Sequence, residues 1–228
     1  MILSIIVPVY NEEKILLKSL KNLKNSKSAV EREIIVINDG STDGSAKVLK
    51  ENKELYNKLL INEKNMGKGY SIKKGLIEAN GTHIIFHDAD LEYDPKDITK
   101  FEKIFEDFKA DAVLGSRFNY SDYTRSHNIL NKFANKLITL SFNLLYNTTF
   151  TDIYSCYFAY KKELIDPNLL ETNGFNQHAE IICKVIKKGK KFYEVPINYN
   201  GRSYSEGKKI KPIDFFSIVY QIFKRRLF

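Results

Sequence analysis

The first half of the chain alternates between two hydrophobic patterns. Continuous apolar runs occupy Leu3–Val9, Glu33–Asn38, Leu59–Asn62, His83–His87 and Ala112–Ser116. Such short runs read as strands buried on both faces. Between them, apolar residues recur at helical spacing. Asn11–Leu23 carries Ile15, Leu16, Leu20 and Leu23, and Asp97–Phe108 carries Ile98, Phe101, Ile104, Phe105 and Phe108. Gly40-Ser41-Thr42-Asp43 is a turn that leads into a helix over Ser45–Glu51, and Lys68–Glu78 is a helix with Asn80-Gly81 as its expected C-cap. Repeated strand–helix–strand units predict an α/β fold, with a mostly parallel central sheet flanked by helices.

The second half is less regular. The pattern predicts a helix over Asn128–Leu145, an extended segment over Ile153–Tyr160, a helix over Ala179–Lys188 and a strand over Phe192–Val195. A polar loop, Asn198–Lys211, separates these from a terminal amphipathic stretch, Pro212–Phe228, with Ile213, Phe216, Tyr220, Phe223 and Leu227 on one stripe. Neither an internal repeat nor a linker divides the chain, so a single domain over residues 1–228 is expected.

Parallel sheets bind ligands outside the carboxyl ends of their strands. The polar clusters fall there: Tyr10-Asn11-Glu12, Asp39-Gly40-Ser41, Asp88-Ala89-Asp90-Leu91-Glu92 and Ser116-Arg117. Asp88 and Asp90 stand one residue apart at a strand end. If the strand stayed extended, both side chains would leave one face. Two such carboxylates repel unless a cation lies between them. Mg²⁺ or Mn²⁺ suits oxygen ligands and usually shares them with substrate phosphates. A solvated loop after a strand is the plainer alternative for the motif taken alone.

Composition narrows the partners. Of 228 residues, 43% are hydrophobic and 28% charged, which suits a globular chain with a substantial core. The formal net charge of +8 favours anionic partners such as phosphates, nucleotides or an acidic membrane surface. No recognition-helix or RNA-module pattern is present, so nucleic acid is not expected. Cys156 and Cys183 have no metal-ligand spacing, and the four histidines form no metal motif. The start Met1–Val9 lacks a basic leader and is cut by Pro8, so it reads as a strand. No run reaches the roughly 18 apolar residues of a membrane span. A soluble or peripheral protein in a reducing compartment is the expectation.

Further motifs favour anions. Asn65-Met66-Gly67-Lys68-Gly69 leads into a helix, where glycines permit close approach and the helix end attracts negative charge. Its spacing is not that of a P-loop. Arg117 follows a strand and suits bidentate phosphate binding. Arg202, Lys208, Lys209 and Lys211 cluster before Pro212, where lysines oppose a helix dipole unless a phosphate is shared.

These motifs together resemble the family-2 glycosyltransferases of the GT-A fold, and the resemblance covers nearly the whole chain. Val7-Pro8-Val9-Tyr10-Asn11-Glu12, Val36 to Asp43, Asn65 to Gly69 and Asp88 to Glu92 carry the superfamily likeness. Gly115 to Phe118, Thr151-Asp152 to Cys156-Tyr157 and Arg202 to Ile210 point to the polyprenyl-phosphate, dolichyl-phosphate mannosyltransferase-like branch. The resemblance implies a donor half over residues 1–120 and an acceptor half over 121–228. It places Pro8, Tyr10, Asn11 and Glu12 under the nucleotide, with Tyr10 at the base and Glu12 near the ribose. Asp39 would read the base, and Lys68 and Ala89 would line the donor site. Asp88, Asp90 and Glu92 would hold Mg²⁺ or Mn²⁺, and Arg117, Arg202 and Lys208 would bind phosphates. The implied reaction moves a hexose from a GDP- or UDP-sugar to a polyprenyl phosphate with inversion. The expected location is cytoplasmic, peripheral on the inner face of a membrane.

Acceptor chemistry separates the rival readings. A hydroxyl acceptor needs a general base, for which Asp152 and Glu180 are the candidates. A phosphate acceptor is already anionic and needs cations instead, which the Arg and Lys residues of the second half supply. The alternatives are a family-2 enzyme acting on a saccharide hydroxyl and a non-catalytic nucleotide-sugar binder. The terminal stretch with Lys224-Arg225-Arg226 suits an anionic membrane surface or, equally, docking on the core. The donor sugar, the metal used and the oligomeric state are not legible in the sequence.

Overall fold

The computed structural model describes residues 1–119, 121–125, 129–203 and 214–227. Seven strands form one sheet: β1 (Ile2–Val9), β2 (Glu31–Asn38), β3 (Lys58–Ile61), β4 (His83–Phe86), β5 (Ala112–Ser116), β6 (Phe158–Lys161) and β7 (Phe192–Pro196). The helices are α1 (Glu13–Asn25), α2 (Ser45–Glu51), α3 (Lys68–Glu78), α4 (Ile98–Phe108), α5 (Ile129–Tyr146), α6 (Gln177–Lys188) and α7 (Asp214–Leu227). The strand order is β3-β2-β1-β4-β6-β5-β7. It runs one way from β1 to β3 and the other way from β1 to β4, which opens a crevice at the carboxyl ends of β1 and β4.

The apolar runs became the core. Ile5, Ile6 and Val7 of β1, Ile35, Val36 and Ile37 of β2, and Ile84 and Ile85 of β4 are fully buried. Both faces are covered, as continuous apolar strands require. Pairing is parallel among β1, β2, β3 and β4 and between β5 and β7. The exception is β6, antiparallel to both β4 and β5. Only the end of the expected extended segment joins the sheet; residues 153–157 pass beneath the site as loop.

Two turn expectations change. Asn11 does not cap α1: it takes a left-handed φ of 51°, and its side chain bonds Thr42 across to the next loop. Asn80-Gly81 is not a left-handed C-cap, because α3 ends on an extended Ala79. Gly81 is required by close approach instead: a Cβ there would meet the Ile2 carbonyl oxygen at 2.8 Å and Ser4 Oγ at 2.5 Å.

One buried ion pair ties the start of β2 to α4. Glu102 of α4 is fully buried and accepts from Arg32 Nε of β2 at 2.6 Å, Ser28 Oγ at 2.9 Å and the Ala29 N–H at 3.0 Å. Removing one partner of such a pair leaves an uncompensated buried charge. Arg32→Met is expected to cost about 3 kcal/mol in urea unfolding. A loss below about 0.5 kcal/mol, the scale of an exposed pair, would contradict this role.

Candidate active site

A cavity of about 960 Å³ opens at the carboxyl ends of the strands. Pro8, Tyr10, Glu12, Asp39, Lys68, Asp88, Ala89, Asp90, Glu92, Arg117 and Arg202 all line it. Sequence positions from 8 to 202 therefore meet in one place. Asn11 stands outside the wall, at the exposed turn that bonds Thr42. Lys208, with Lys209 and Lys211, lies outside the described residues.

The acidic pair forms differently from the extended-strand expectation. β4 ends at Phe86, and Asp88 and Asp90 lie in the turn that follows, with Leu91 at a φ of 61°. The turn, not the strand pleat, brings both carboxylates to the cavity. Lys68 at the start of α3 clasps Asp88, with Nζ at 2.6 and 2.8 Å from its two oxygens. Burial alone would raise Asp88, but Lys68 outweighs it and holds the carboxyl below its usual range. Asp90 goes the other way. Burial, then repulsion from Asp88 and Glu92, pushes it up to about 7, despite Arg202.

Arg202 is the second counter-charge. Its Nε donates to Glu92 at 3.0 Å, Nη2 donates to Asp90 at 3.1 Å, and the Glu12 carboxylate accepts from Nη1 and Nη2 at 3.3 and 3.4 Å. In this arrangement Arg202 serves carboxylates rather than phosphates. The other oxygen of Glu92 accepts from the Tyr199 hydroxyl at 2.6 Å. Among the described residues, no three acidic, histidine or cysteine side chains are grouped to hold a metal. Of the expected trio of Asp88, Asp90 and Glu92, Glu92 has both oxygens engaged, by Arg202 and Tyr199. Asp88 and Asp90 nevertheless fit a hard divalent cation. They offer oxygen donors in one cavity, and Mg²⁺ commonly uses one or two carboxylates plus substrate phosphates.

Asp39 carries a structural load. Its oxygens accept from Asn62 Nδ2 at 2.8 Å and from the Met66 and Gly67 N–H groups, each at 2.9 Å. It thereby fixes the glycine loop before α3. Gly67, at a φ of 96°, has no room for a Cβ, which would meet the Asn173 carbonyl oxygen at 2.7 Å. The loop is therefore pressed against the segment that leads into α6.

Arg117 and Asp152 form a buried unit. Asp152 is fully buried, and its oxygens accept from Arg117 Nε at 2.7 Å and Nη2 at 2.8 Å. Asp152 also takes the Arg117 N–H at 3.0 Å. It is absent from the cavity wall, so it orients Arg117 and is not placed to take a substrate proton. Glu180 is likewise excluded as a base: fully buried, it accepts from Thr172 Oγ1 at 2.7 Å and from Lys184 at 2.9 Å. The Arg117 guanidinium lies 5.1 Å from the Tyr199 ring centre, a cation–π distance. Tyr199 therefore connects Glu92 to Arg117, a role without a signal in the sequence, where it sits in a stretch expected to be loop.

Apolar side chains of two helices also line the cavity. Leu130, Phe133, Leu137 and Ile138 of α5 and Phe215, Phe216 and Ile218 of α7 line the same cavity. Periodicity marks both helices as amphipathic but does not show that they face the strand ends.

The chain belongs to glycosyl transferase family 2: the family model matches residues 4–168. An uncharacterised protein of Methanocaldococcus jannaschii is 35% identical over 219 residues, covering 90% of this chain and 93% of its own. The dolichol-phosphate mannosyltransferase of Pyrococcus furiosus is 27% identical over 228 residues, 97% of this chain but 63% of that longer protein. Among solved structures, glucosyl-3-phosphoglycerate synthase from Mycobacterium tuberculosis, in complex with Mn²⁺, UDP and glucosyl-3-phosphoglycerate, superposes with a TM-score of 0.73 at 15% identity. It covers 98% of this chain and 79% of its own. Staphylococcus aureus TarS with UDP-GlcNAc gives 0.65 at 18% identity, covering 99% and 66%. These structures share the GT-A-like fold.

The charge balance of the cluster sets a pH dependence. Asp90 sits near 7 in the fold against an ordinary value of 3.8, so the folded protein holds this proton more tightly than the unfolded chain does. Its contribution to stability therefore falls as pH rises between those values, and the cost is complete above 7. In chelating buffer at pH 8, Asp90→Asn is expected to raise stability by on the order of 1–3 kcal/mol, with the gain vanishing near pH 4. A variant no more stable than the parent at pH 8 would contradict the assignment.

Proposed function

We propose that the protein transfers a hexose from a GDP- or UDP-sugar to a polyprenyl phosphate, at the cytoplasmic face of a membrane. The observation that carries this reading is the mixed character of the cavity. Its lining combines carboxylates and guanidinium groups at the strand ends with apolar side chains of α5 and α7. A molecule with an anionic head and a long apolar tail matches both parts. A saccharide acceptor would leave the apolar part without a partner. The mannosyltransferase name of the Pyrococcus furiosus relative supports the same branch. The UDP and Mn²⁺ complex of the mycobacterial neighbour supports a metal-assisted nucleotide-sugar donor.

The acceptor phosphate oxygen attacks the anomeric carbon as the bond from that carbon to the donor β-phosphate oxygen breaks. The nucleoside diphosphate leaves with the bonding electrons, and the anomeric centre inverts. No proton has to be removed, which agrees with the burial and full engagement of Asp152 and Glu180. Arg117, oriented by Asp152, offers its remaining guanidinium edge to the acceptor phosphate. Pro8 and Tyr10 floor the nucleotide site, and Glu12 stands at its ribose end. Asp88 and Asp90 would hold Mg²⁺ or Mn²⁺, which would supply Lewis-acid stabilisation of the leaving diphosphate.

The membrane contact rests on the apolar face. Leu130, Phe133, Leu140 and Leu144 of α5 and Phe216, Tyr220 and Leu227 of α7 are more than half exposed, beyond the scatter usual for a surface. The basic end of α7 contributes less than its sequence suggests. Lys224 and Arg225 pair with Glu171 at 3.0 and 2.7 Å. Among the described residues, no helix is long and apolar enough to cross a membrane.

The test is transfer of labelled sugar from a panel of GDP- and UDP-sugars into organic-extractable polyprenyl phosphate, with Mn²⁺ or with chelator. Metal-dependent label in the organic phase from one donor is the expected result. Label appearing only on a water-soluble saccharide acceptor would assign the hydroxyl-acceptor class instead. Nucleotide binding with no transfer to either acceptor would assign a non-catalytic binder.

A further inference from the structure

Arg202 meets three carboxylates from two separate strand ends. Glu12 follows β1, Asp90 and Glu92 follow β4, and Arg202 itself follows β7. The contacts are graded. The Nε bond to Glu92 is 3.0 Å, and Tyr199 fixes the far oxygen of that carboxylate. The Nη bonds to Asp90 and Glu12 lengthen from 3.1 to 3.4 Å. Arg202 is thus held on Glu92 and Asp90 at nearly equal range, and more loosely on Glu12. Its side chain keeps 18% of its surface exposed, on the cavity wall.

We infer that Arg202 is a built-in counter-cation of the donor site, one that excludes a divalent metal from Asp90 until a nucleoside diphosphate arrives to accept its guanidinium. The inference rests on the donor reading given above. A metal approaching Asp90 alone meets a fixed positive charge already bonded to the same carboxylate, and like charges at that range repel. It must displace the Nη2 bond to Asp90 while Arg202, still held by Glu92 and Glu12, stays beside it as an uncompensated positive charge. A diphosphate changes that balance. It offers oxygens that a guanidinium binds in a bidentate manner, so Arg202 turns its Nη atoms from Glu12 and Asp90 to the phosphates while Nε stays on Glu92. Asp90, released by Nη2, then opens to the metal. Metal and nucleotide then bind with positive coupling, and the coupling is reciprocal. This resolves the double character of Arg202, a phosphate-binding residue by its motif and a carboxylate-binding one by its geometry.

The experiment is Mn²⁺ binding to the full chain, followed by the electron paramagnetic resonance signal of free Mn²⁺, with no nucleotide, with UDP and with GDP. The parent protein is expected to bind Mn²⁺ weakly alone and at least about tenfold more tightly with one of the nucleotides, within the range usual for coupled sites. Arg202→Gln is expected to raise the nucleotide-free Mn²⁺ affinity on the order of tenfold and to shrink the nucleotide enhancement correspondingly. An unchanged or lower nucleotide-free affinity in a folded Arg202→Gln protein overturns the inference, while leaving the donor reading standing if nucleotide still promotes metal binding in the parent. Should Arg202→Gln not fold, Arg202→Lys carries the test. It keeps the charge and loses the fork, so the nucleotide enhancement is expected to fall severalfold, and an undiminished enhancement overturns the inference. Absence of Mn²⁺ binding to the parent with either nucleotide overturns both the inference and the donor reading beneath it.

Discussion

Four carboxylates converge on one crevice, and the rest of the site is arranged around their mutual repulsion. Glu12, Asp88, Asp90 and Glu92 line the same cavity wall. A protein gains no stability by gathering like charges in a half-buried place. Lys68 answers Asp88, Arg202 answers the other three, and the residual imbalance appears at Asp90. Such an arrangement costs stability where function needs positive charge to arrive from outside. In the proposed reading, a divalent cation with a nucleotide diphosphate would meet that need, the metal satisfying Asp90 and the phosphates the displaced Arg202.

Much of the scaffold was legible in the sequence, because long apolar runs and helical stripes are strong signals. The boundaries of α2, α3 and β5 match their patterns, and the strand ends deliver the polar clusters to one side of the sheet as the parallel topology requires. The antiparallel β6 was not legible. An apolar run gives burial but not direction, and direction here depends on α5 returning the chain between β4 and β5. Turn chemistry was the weakest signal. Asn11 and Asn80-Gly81 have cap composition, yet the first bonds across to Thr42 and the second makes room for β1.

Side-chain pairing was hidden for a different reason. Asp152 in a motif reads as chemistry, but only its complete burial against Arg117 separates an orienting partner from a base. Glu180 reads the same way until Thr172 and Lys184 are seen to hold it. Tyr199, which joins Glu92 to Arg117, has no local pattern at all. The Asp152 and Tyr199 roles depend on contacts between positions 35 to 107 residues apart, which neither periodicity nor spacing encodes. The apolar lining from α5 and α7 is half legible: the stripes are visible in the sequence, whereas their sharing a cavity with the carboxylate cluster is a property of the fold.

The central claim is that the carboxylate–guanidinium cluster is the place where a metal and a donor diphosphate meet. A crystal structure of the full chain with Mn²⁺ and whichever of UDP or GDP binds tests it most directly, using anomalous scattering to locate the metal. The account requires an anomalous peak in contact with Asp90 and the diphosphate, with the Nη atoms of Arg202 moved from Glu12 to phosphate oxygens. A nucleotide bound elsewhere, or a metal–nucleotide complex with Arg202 still clasping Glu12 and Asp90, would contradict it.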